Sequence, residues 1–233
     1  MTEFAQESTL QVENNYNVLD ENIMRILSIL QQPQQITHKS NYFYKINKIM
    51  TLFPPALNAN KFIYGKLIEI ATNELLLNCE FQVRDLDEEV EQGSSYINDI
   101  ILQGNGLLEN QPFSIKAQKG GTFQNPTHQD ITIVNVNSTN ENNDIYNIPK
   151  HTCFLVMHIS KKRLYIFRNN EYINSNYLVQ TRAQVKYKSR LFRYLDENRL
   201  YCEFSDLSDE QVQTLSSCSA VNPNQVLYEK YIM

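Results

Sequence analysis

The chain has 233 residues, enough for one large domain or two small ones and for a core that needs no disulfide staples. Hydrophobic residues make up 42% and charged residues 20%, which excludes a disordered chain, and no apolar run approaches the roughly 18 residues of a membrane-spanning helix. The net charge of −5 hides a division: residues 1–149 hold 9 Lys+Arg against 18 Asp+Glu, 150–200 hold 11 against 3, and 201–233 hold 1 against 5. An acidic protein with one basic segment calls for a local partner of opposite sign, and polyphosphate fits. The alternative is that these cations pair with acids of the first half.

Residues 1–18 are polar and acidic, unlike a secretory leader, and a cytoplasmic protein without membrane partners is expected. Cys79, Cys153, Cys202 and Cys218 lie far apart with no CxxC pair, so buried free thiols are expected rather than a zinc site or a disulfide framework. From Leu19 to Gln32, Leu19, Ile23, Ile26, Leu27 and Leu30 recur at helical spacing, and Pro33 ends the run. Ser40 is the candidate cap of a second helix, with Phe43, Ile46, Ile49 and Met50 as its apolar stripe and Pro54 and Pro55 as its stop. Asn60 caps a third, KFIYGKLIEIATNELLL, whose Phe62, Ile63, Leu67, Ile70, Ala71 and Leu75 can face inward. Gly65 weakens that helix by about 1 kcal/mol relative to alanine, so a close approach of another element is expected there. Glu69 lies one turn further on, either a solvated helix acid or part of a site.

A short strand is expected after Cys79, then the acidic loop RDLDEEVEQG. Tyr96 to Gly121 reads as two strands joined by a turn around Gly104 to Leu108. Folding the hairpin there sets Asp99 across from Ser114 to Lys116, with Ile115 and Ala117 on the other face. Residues 131–137 alternate as a strand should. Thr152 to Ile159 is apolar throughout, as in a strand buried on both faces, and the basic turn at Lys161 to Arg163 leads back into LYIFRN as a hairpin. Residues 175–202 interleave Arg182, Lys186, Lys188, Arg190, Arg193 and Arg199 with Tyr177, Tyr187, Phe192, Tyr194 and Tyr201. Ser208 and Gln211 form a capping box for a last helix. The expected fold is α/β: a mixed central sheet flanked by helices, with a helical N-terminal part, in one domain over 1–233. Within it, 1–58 is the helical part, 60–200 the core and basic segment, and 201–233 the last helix and tail.

Phosphodiester hydrolysis needs an acid to hold a divalent cation, a positive group near the attacking water and a basic surface for the backbone. Asp99, Lys116 and residues 150–200 offer these three. A helix with Gly65, Lys66 and Glu69, a strand acid at Asp99, and a hairpin into Ser114-Ile115-Lys116 resemble the core of the PD-(D/E)xK nucleases, in particular the type II restriction endonucleases. The resemblance spans roughly residues 60–159. It implies a restriction-endonuclease-like fold and Mg2+-dependent cleavage of double-stranded DNA at a short sequence by a homodimer. It assigns Asp99 as metal ligand, Lys116 as the lysine that orients water, and Glu69 as the helix glutamate assisting at the metal. Asn98 stands where the motif has proline. Ser114 stands where it has an acid, and brings a hydroxyl without charge.

Candidate DNA contacts are Lys119, His128 within segment 121–130, and Arg182, Lys186, Lys188 and Arg190 within segment 175–193. His128 is otherwise an ordinary loop histidine, and 175–193 a solvated amphipathic face. Two other functions stay open: a non-catalytic nucleic-acid-binding protein of the same fold, and an interaction protein working through its acidic first half.

Overall fold

Apolar stripes at helical spacing open the molecule. The structure, a computed structural model, describes residues 20–52, 60–86, 98–118, 130–135, 152–180 and 184–205. Helix α1 (20–30) buries Ile23, Ile26, Leu27 and Leu30, and Ile29 joins them. Pro33 does break the helix, but only for one 3-10 turn, Pro33–Gln35, because proline is tolerated where no backbone N–H is needed. Helix α2 (Ile36–Leu52) restarts at once, so Ser40 lies inside it rather than capping it. Its stripe is the expected one, with Phe43, Ile46 and Ile49 buried and Met50 packed beside them.

Helix α3 (Asn60–Asn78) covers the third predicted run. Leu67, Ile68, Ala71, Leu75 and Leu76 are buried, each large side chain contributing about 1.5–3 kcal/mol by leaving water, whereas Ile70 is only half-buried. Gly65 marks no close approach among the described residues: a Cβ there would meet none of them within 4 Å. Buried between the two helices, the Tyr42 hydroxyl meets Thr72 Oγ1 at 3.2 Å, and Thr72 donates to the Ile68 carbonyl at 2.7 Å.

The strands are β1 (Gln82–Asp85), β2 (Ile100–Gln103), β3 (Gln111–Gln118), β4 (Ile131–Asn135), β5 (Cys153–His158) and β6 (Arg163–Arg168). After them come α4 (Glu171–Tyr177), β7 (Leu178–Gln180), β8 (Gln184–Tyr187), α5 (Leu191–Glu197) and β9 (Tyr201–Glu203). Six strands form one mixed sheet in the order β1-β2-β3-β5-β6-β9; β3 and β5 run parallel and every other neighbouring pair antiparallel. Strands β4, β8 and β7 form a second, antiparallel sheet. This is the expected α/β architecture, a mixed sheet flanked by helices with a helical N-terminal part.

Alternation along the strands gives the main sheet two different faces. Ile100, Phe113, Ile115, Cys153, Leu155 and Ile166 share a core with α1, α2 and α3. Phe154, Val156, Tyr165 and Phe167 pack instead under Ile173 of α4, Val185 and Tyr187 of β8, and Leu191, Phe192 and Leu195 of α5. Strand β5 is buried along its whole length, as its unbroken apolar run requires. Cys79, Cys153 and Cys202 are free and buried, as expected; burial pushes the Cys153 thiol up to about 12 and the other two to about 11, so none is a thiolate at neutral pH. Cys218, the capping box at Ser208 and the C-terminal tail lie outside the described residues. Among the described residues, no helix is long and apolar enough to cross a membrane.

Candidate active site

The turn between β2 and β3 decides where Asp99 stands. Gly104, Asn105 and Gly106 take φ of +74°, +51° and +78°, a left-handed run that glycine and asparagine tolerate best. Helix α1 grips the turn: Arg25 Nε donates to the Asn105 carbonyl at 3.3 Å, and the Leu108 N–H donates to Asn22 Oδ1 at 2.9 Å. A Cβ at Gly106 would lie 2.8 Å from the Arg25 guanidinium. With the turn held, Ile100 pairs with Phe113, and Asp99 follows next in register.

Neighbouring strands clamp the Asp99 backbone. Its N–H donates to the Phe113 carbonyl at 2.8 Å, and its carbonyl accepts from the Leu86 N–H at 3.0 Å. The side chain then takes over from the ladder. Oδ2 accepts from the Ile115 N–H, from Ser114 Oγ at 3.2 Å and from Lys116 Nζ at 3.5 Å. Ser114 is fully buried, while Asp99 and Lys116 keep 15% and 23% of their side-chain surface. At 3.5 Å the ammonium sits at the long limit of a hydrogen bond, so electrostatic attraction dominates that contact. The three sequence-predicted residues of the hairpin therefore meet on one face, the face shared with Phe154 and Val156 and turned away from α3.

Glu69 is placed differently. Helix α3 packs on the opposite face, and Lys66 Nζ holds Glu69 Oε2 at 3.0 Å while lying 4.0 Å from Asp85 Oδ2. Asp85 stands opposite Ile100 in register, at the same end of the sheet as Asp99. Among the described residues, no group of three or more His, Cys, Asp or Glu side chains converges to hold a metal ion. Asp99 with the Ser114 hydroxyl is thus the donor set at hand on the lysine-bearing face.

Several cations of the basic segment are already neutralised. Lys161 and Arg163 reach Asp196 at 2.7 and 2.9 Å, Arg163 also reaches Glu203 at 2.9 Å, and Arg168 reaches Asp20 at 3.0 Å. Lys186, an expected DNA contact, holds Asp130 at 2.9 Å. Burial works against ionisation of Asp130, but the Lys186 contact and the Ser189 N–H outweigh it and hold the carboxyl below its usual range. Lys188 and Arg190 are exposed, as is Arg193, while Lys119, His128 and Arg182 lie outside the described residues. Tyr187 and Phe192 are core residues.

Sequence reasoning missed the polar network beneath α5. Tyr165 donates to Asp196 Oδ1 at 2.6 Å, beside the Lys161 and Arg163 contacts. Burial opposes the Asp196 charge, yet hydrogen bonds from Lys161, Tyr165 and Arg163 hold its carboxyl below the usual range. A lone aspartate in a short helix carries no signal of this; its partners lie on a hairpin more than 30 residues earlier. Set against known family models, curated proteins and solved structures, the chain has no match.

Proposed function

We propose that the chain is a Mg2+-dependent endonuclease of the restriction type, cutting double-stranded DNA at a short specific sequence as a cytoplasmic homodimer. The observation that carries the reading is the meeting of Ser114 Oγ, the Ile115 N–H and Lys116 Nζ on one oxygen of Asp99. The element order supports it: helix α3, then β1, the acid ahead of β2, the lysine on β3, and β5 parallel to β3, as the PD-(D/E)xK resemblance implies.

Mg2+ is commonly held by one or two carboxylates, with waters and substrate phosphates completing its shell, so a site with Asp99 as carboxylate fits it at the lower limit. Asp99 would hold the ion, while Glu69 stays with Lys66 on the opposite face of the sheet. Bound there, the ion would supply Lewis acidity at the scissile phosphate and a more acidic water. The chain's own groups do the rest. The Ile115 N–H and the buried Ser114 hydroxyl fix the Asp99 carboxylate in one orientation. The Lys116 ammonium, loosely held at 3.5 Å, is free to turn to a phosphate oxygen and to the attacking water, where negative charge develops. Exposed Lys188, Arg190 and Arg193 contribute phosphate contacts. A two-fold symmetric target calls for a two-fold symmetric protein, hence the homodimer.

A second reading, a non-catalytic nucleic-acid-binding protein of the same fold, is favoured by one observation: the acid expected at 114 is a buried serine. Plasmid incubated with Mg2+, with and without chelator, separates the two. Discrete fragments that need the metal support the endonuclease; a shifted band without cleavage supports the binder. Lys116→Ala is expected to lower cleavage by about 100-fold or more while leaving DNA binding intact. Full cutting by that variant refutes the assignment.

A further inference from the structure

The second face of the sheet ends in an aromatic surface that the endonuclease reading does not use. Tyr172 and Tyr177 on α4 and Tyr194 on α5 form one cluster. Ring centroids lie 5.2 Å apart for Tyr172 and Tyr194, 5.7 Å for Tyr177 and Tyr194, and 6.3 Å for Tyr172 and Tyr177. Tyr177 and Tyr194 lean on the core beneath α4 and α5, but Tyr172 is 54% exposed. The Arg190 guanidinium lies 5.5 Å from the centre of the Tyr177 ring and donates to the Asn176 carbonyl. Lys188 and Arg193 are exposed beside these residues in the chain. Two acids stand close by: Glu171 in the first turn of α4, and Asp20, which is engaged by Arg168.

Single exposed aromatics are ordinary, and the core does not need this one. Three rings grouped with a cation stacked on one of them form a surface with two chemistries at once, flat π faces and positive charge. Nucleic acid whose bases are unstacked offers the complement to both. In a duplex the base faces are covered and only edges are offered to the grooves. An acidic peptide would use the cations and leave the rings idle. We propose that Tyr172, Tyr177 and Tyr194 form a stacking platform for the unpaired bases of single-stranded nucleic acid, with Arg190, Lys188 and Arg193 taking the adjoining phosphates.

The placement fits a strand that also passes the hairpin. Helix α4 follows the end of β6, and Ser114, Phe154 and Phe167 are aligned across β3, β5 and β6 at that same end. Phe167, four residues before α4 begins, therefore lies about 10 Å from Ser114, two strand spacings away, on the face that carries Asp99. The inference shares with the endonuclease reading the class of ligand and the cations Lys188, Arg190 and Arg193, and needs neither Asp99 nor Lys116.

The test is a fluorescence-anisotropy titration of the full chain in EDTA, with labelled single-stranded oligothymidylate of about 12 nucleotides, an abasic oligomer of equal length, and a duplex. Oligothymidylate is expected to bind more tightly than the abasic oligomer and the duplex. Tyr172→Ala is expected to weaken it roughly 5- to 100-fold and Tyr172→Phe less than about 2-fold. Arg190→Gln is expected to flatten the salt dependence. Equal affinity for the abasic oligomer overturns stacking without recourse to any variant, as does an unchanged affinity in Tyr172→Ala. Competition by polyglutamate as strong as by unlabelled oligothymidylate assigns the surface to acidic peptides and overturns the proposal as well. Oligothymidylate binding in EDTA together with a failed cleavage assay leaves the platform standing, and cleavage without single-strand binding removes the platform alone.

Discussion

The two faces of the six-stranded sheet are built from the same strands and solve different problems. Beneath α1, α2 and α3 the contacts are mostly aliphatic, and the main buried polar pair, Tyr42 with Thr72, is satisfied within the helices. Beneath α4, α5 and the small sheet the core is aromatic: Phe154 stacks on Phe167 at 5.2 Å, and Tyr187 meets both edge-on. Polar groups penetrate that face at Tyr165 with Asp196, at Tyr187 with Asn169, and at Asp99 with Ser114 and Lys116. The helix-covered layer holds its charges in pairs, Arg168 with Asp20 and Lys66 with Glu69, because an unpaired ion there loses its hydration without return. Aromatic residues with a hydroxyl end bury their rings and still offer hydrogen bonds, so charge can be held close to the core. The face that carries the candidate chemistry is thus the one whose core can accommodate polar groups.

The strongest way to break this comparison is to cut a large side chain from each face. Phe113 and Phe154 are both fully buried, one on either side. Phe113→Ala and Phe154→Ala are each expected to cost about 3–5 kcal/mol, read from urea denaturation midpoints. The Phe154 variant loses two ring contacts besides its buried area and should fall at the upper end. If Phe154→Ala left the midpoint unmoved, the layer of α4, α5 and the small sheet would not belong to the cooperative unit.

A smaller effect separates the faces by pH. His158 is buried, edge-on to Phe192 at 4.6 Å, and accepts the Lys161 N–H at 3.4 Å. Burial, and then the Lys161 charge, push its pKa down to about 4; Asp196 works the other way, and the Arg163 charge adds the smallest push down. The unfolded chain takes up this proton near pH 6.5 and the folded chain does not. The contribution of His158 is therefore complete above about pH 6.5 and is lost as pH falls toward about 4. Asp196 acts in a lower window: its carboxyl is held down, so its contribution is present above about pH 4 and disappears below. Between pH 7 and 4.5 the natural chain should lose on the order of 2 kcal/mol that His158→Asn does not lose. Parallel stability curves for the two proteins over that range would deny His158 the role.

How far the two faces could be foreseen follows from the length of their elements. Helices α1 to α3 have enough turns for the apolar period to show, and the unbroken apolar run of β5 shows burial on both sides. The glycines around residue 105 announced the turn, and the two-residue period of β3 then put Ser114 and Lys116 together opposite Asp99. The aromatic layer had no such signal. Its strands β7, β8 and β9 hold three or four residues and its helices seven, too short for any period to stand out, so 175–202 read as one basic stretch. Pairing was equally hidden: Arg168 finds Asp20 across 148 residues, which no local pattern encodes. Ser40 and Gly65 misled for a related reason. A cap or a helix glycine is a local cue, and here the 3-10 turn at Pro33 and open space beside α3 overruled it.

The smallest expected effect tests whether the helical face is as indifferent to charge as its core implies. Lys45 on α2 meets Glu74 on α3, with side chains 34% and 48% exposed. Both ions keep much of their water, so their attraction is screened and is partly offset by the freedom lost in holding two long side chains together. Lys45→Ala should cost about 0.2–1 kcal/mol at low salt and almost nothing at 1 M salt, where the screening length shrinks to about 3 Å. A loss well above 1 kcal/mol that survived high salt would mean that charge ties α2 to α3. The contrast between an apolar face and a polar one would then have to be redrawn as one between two kinds of charge placement, at the rim of the helices and within the aromatic core.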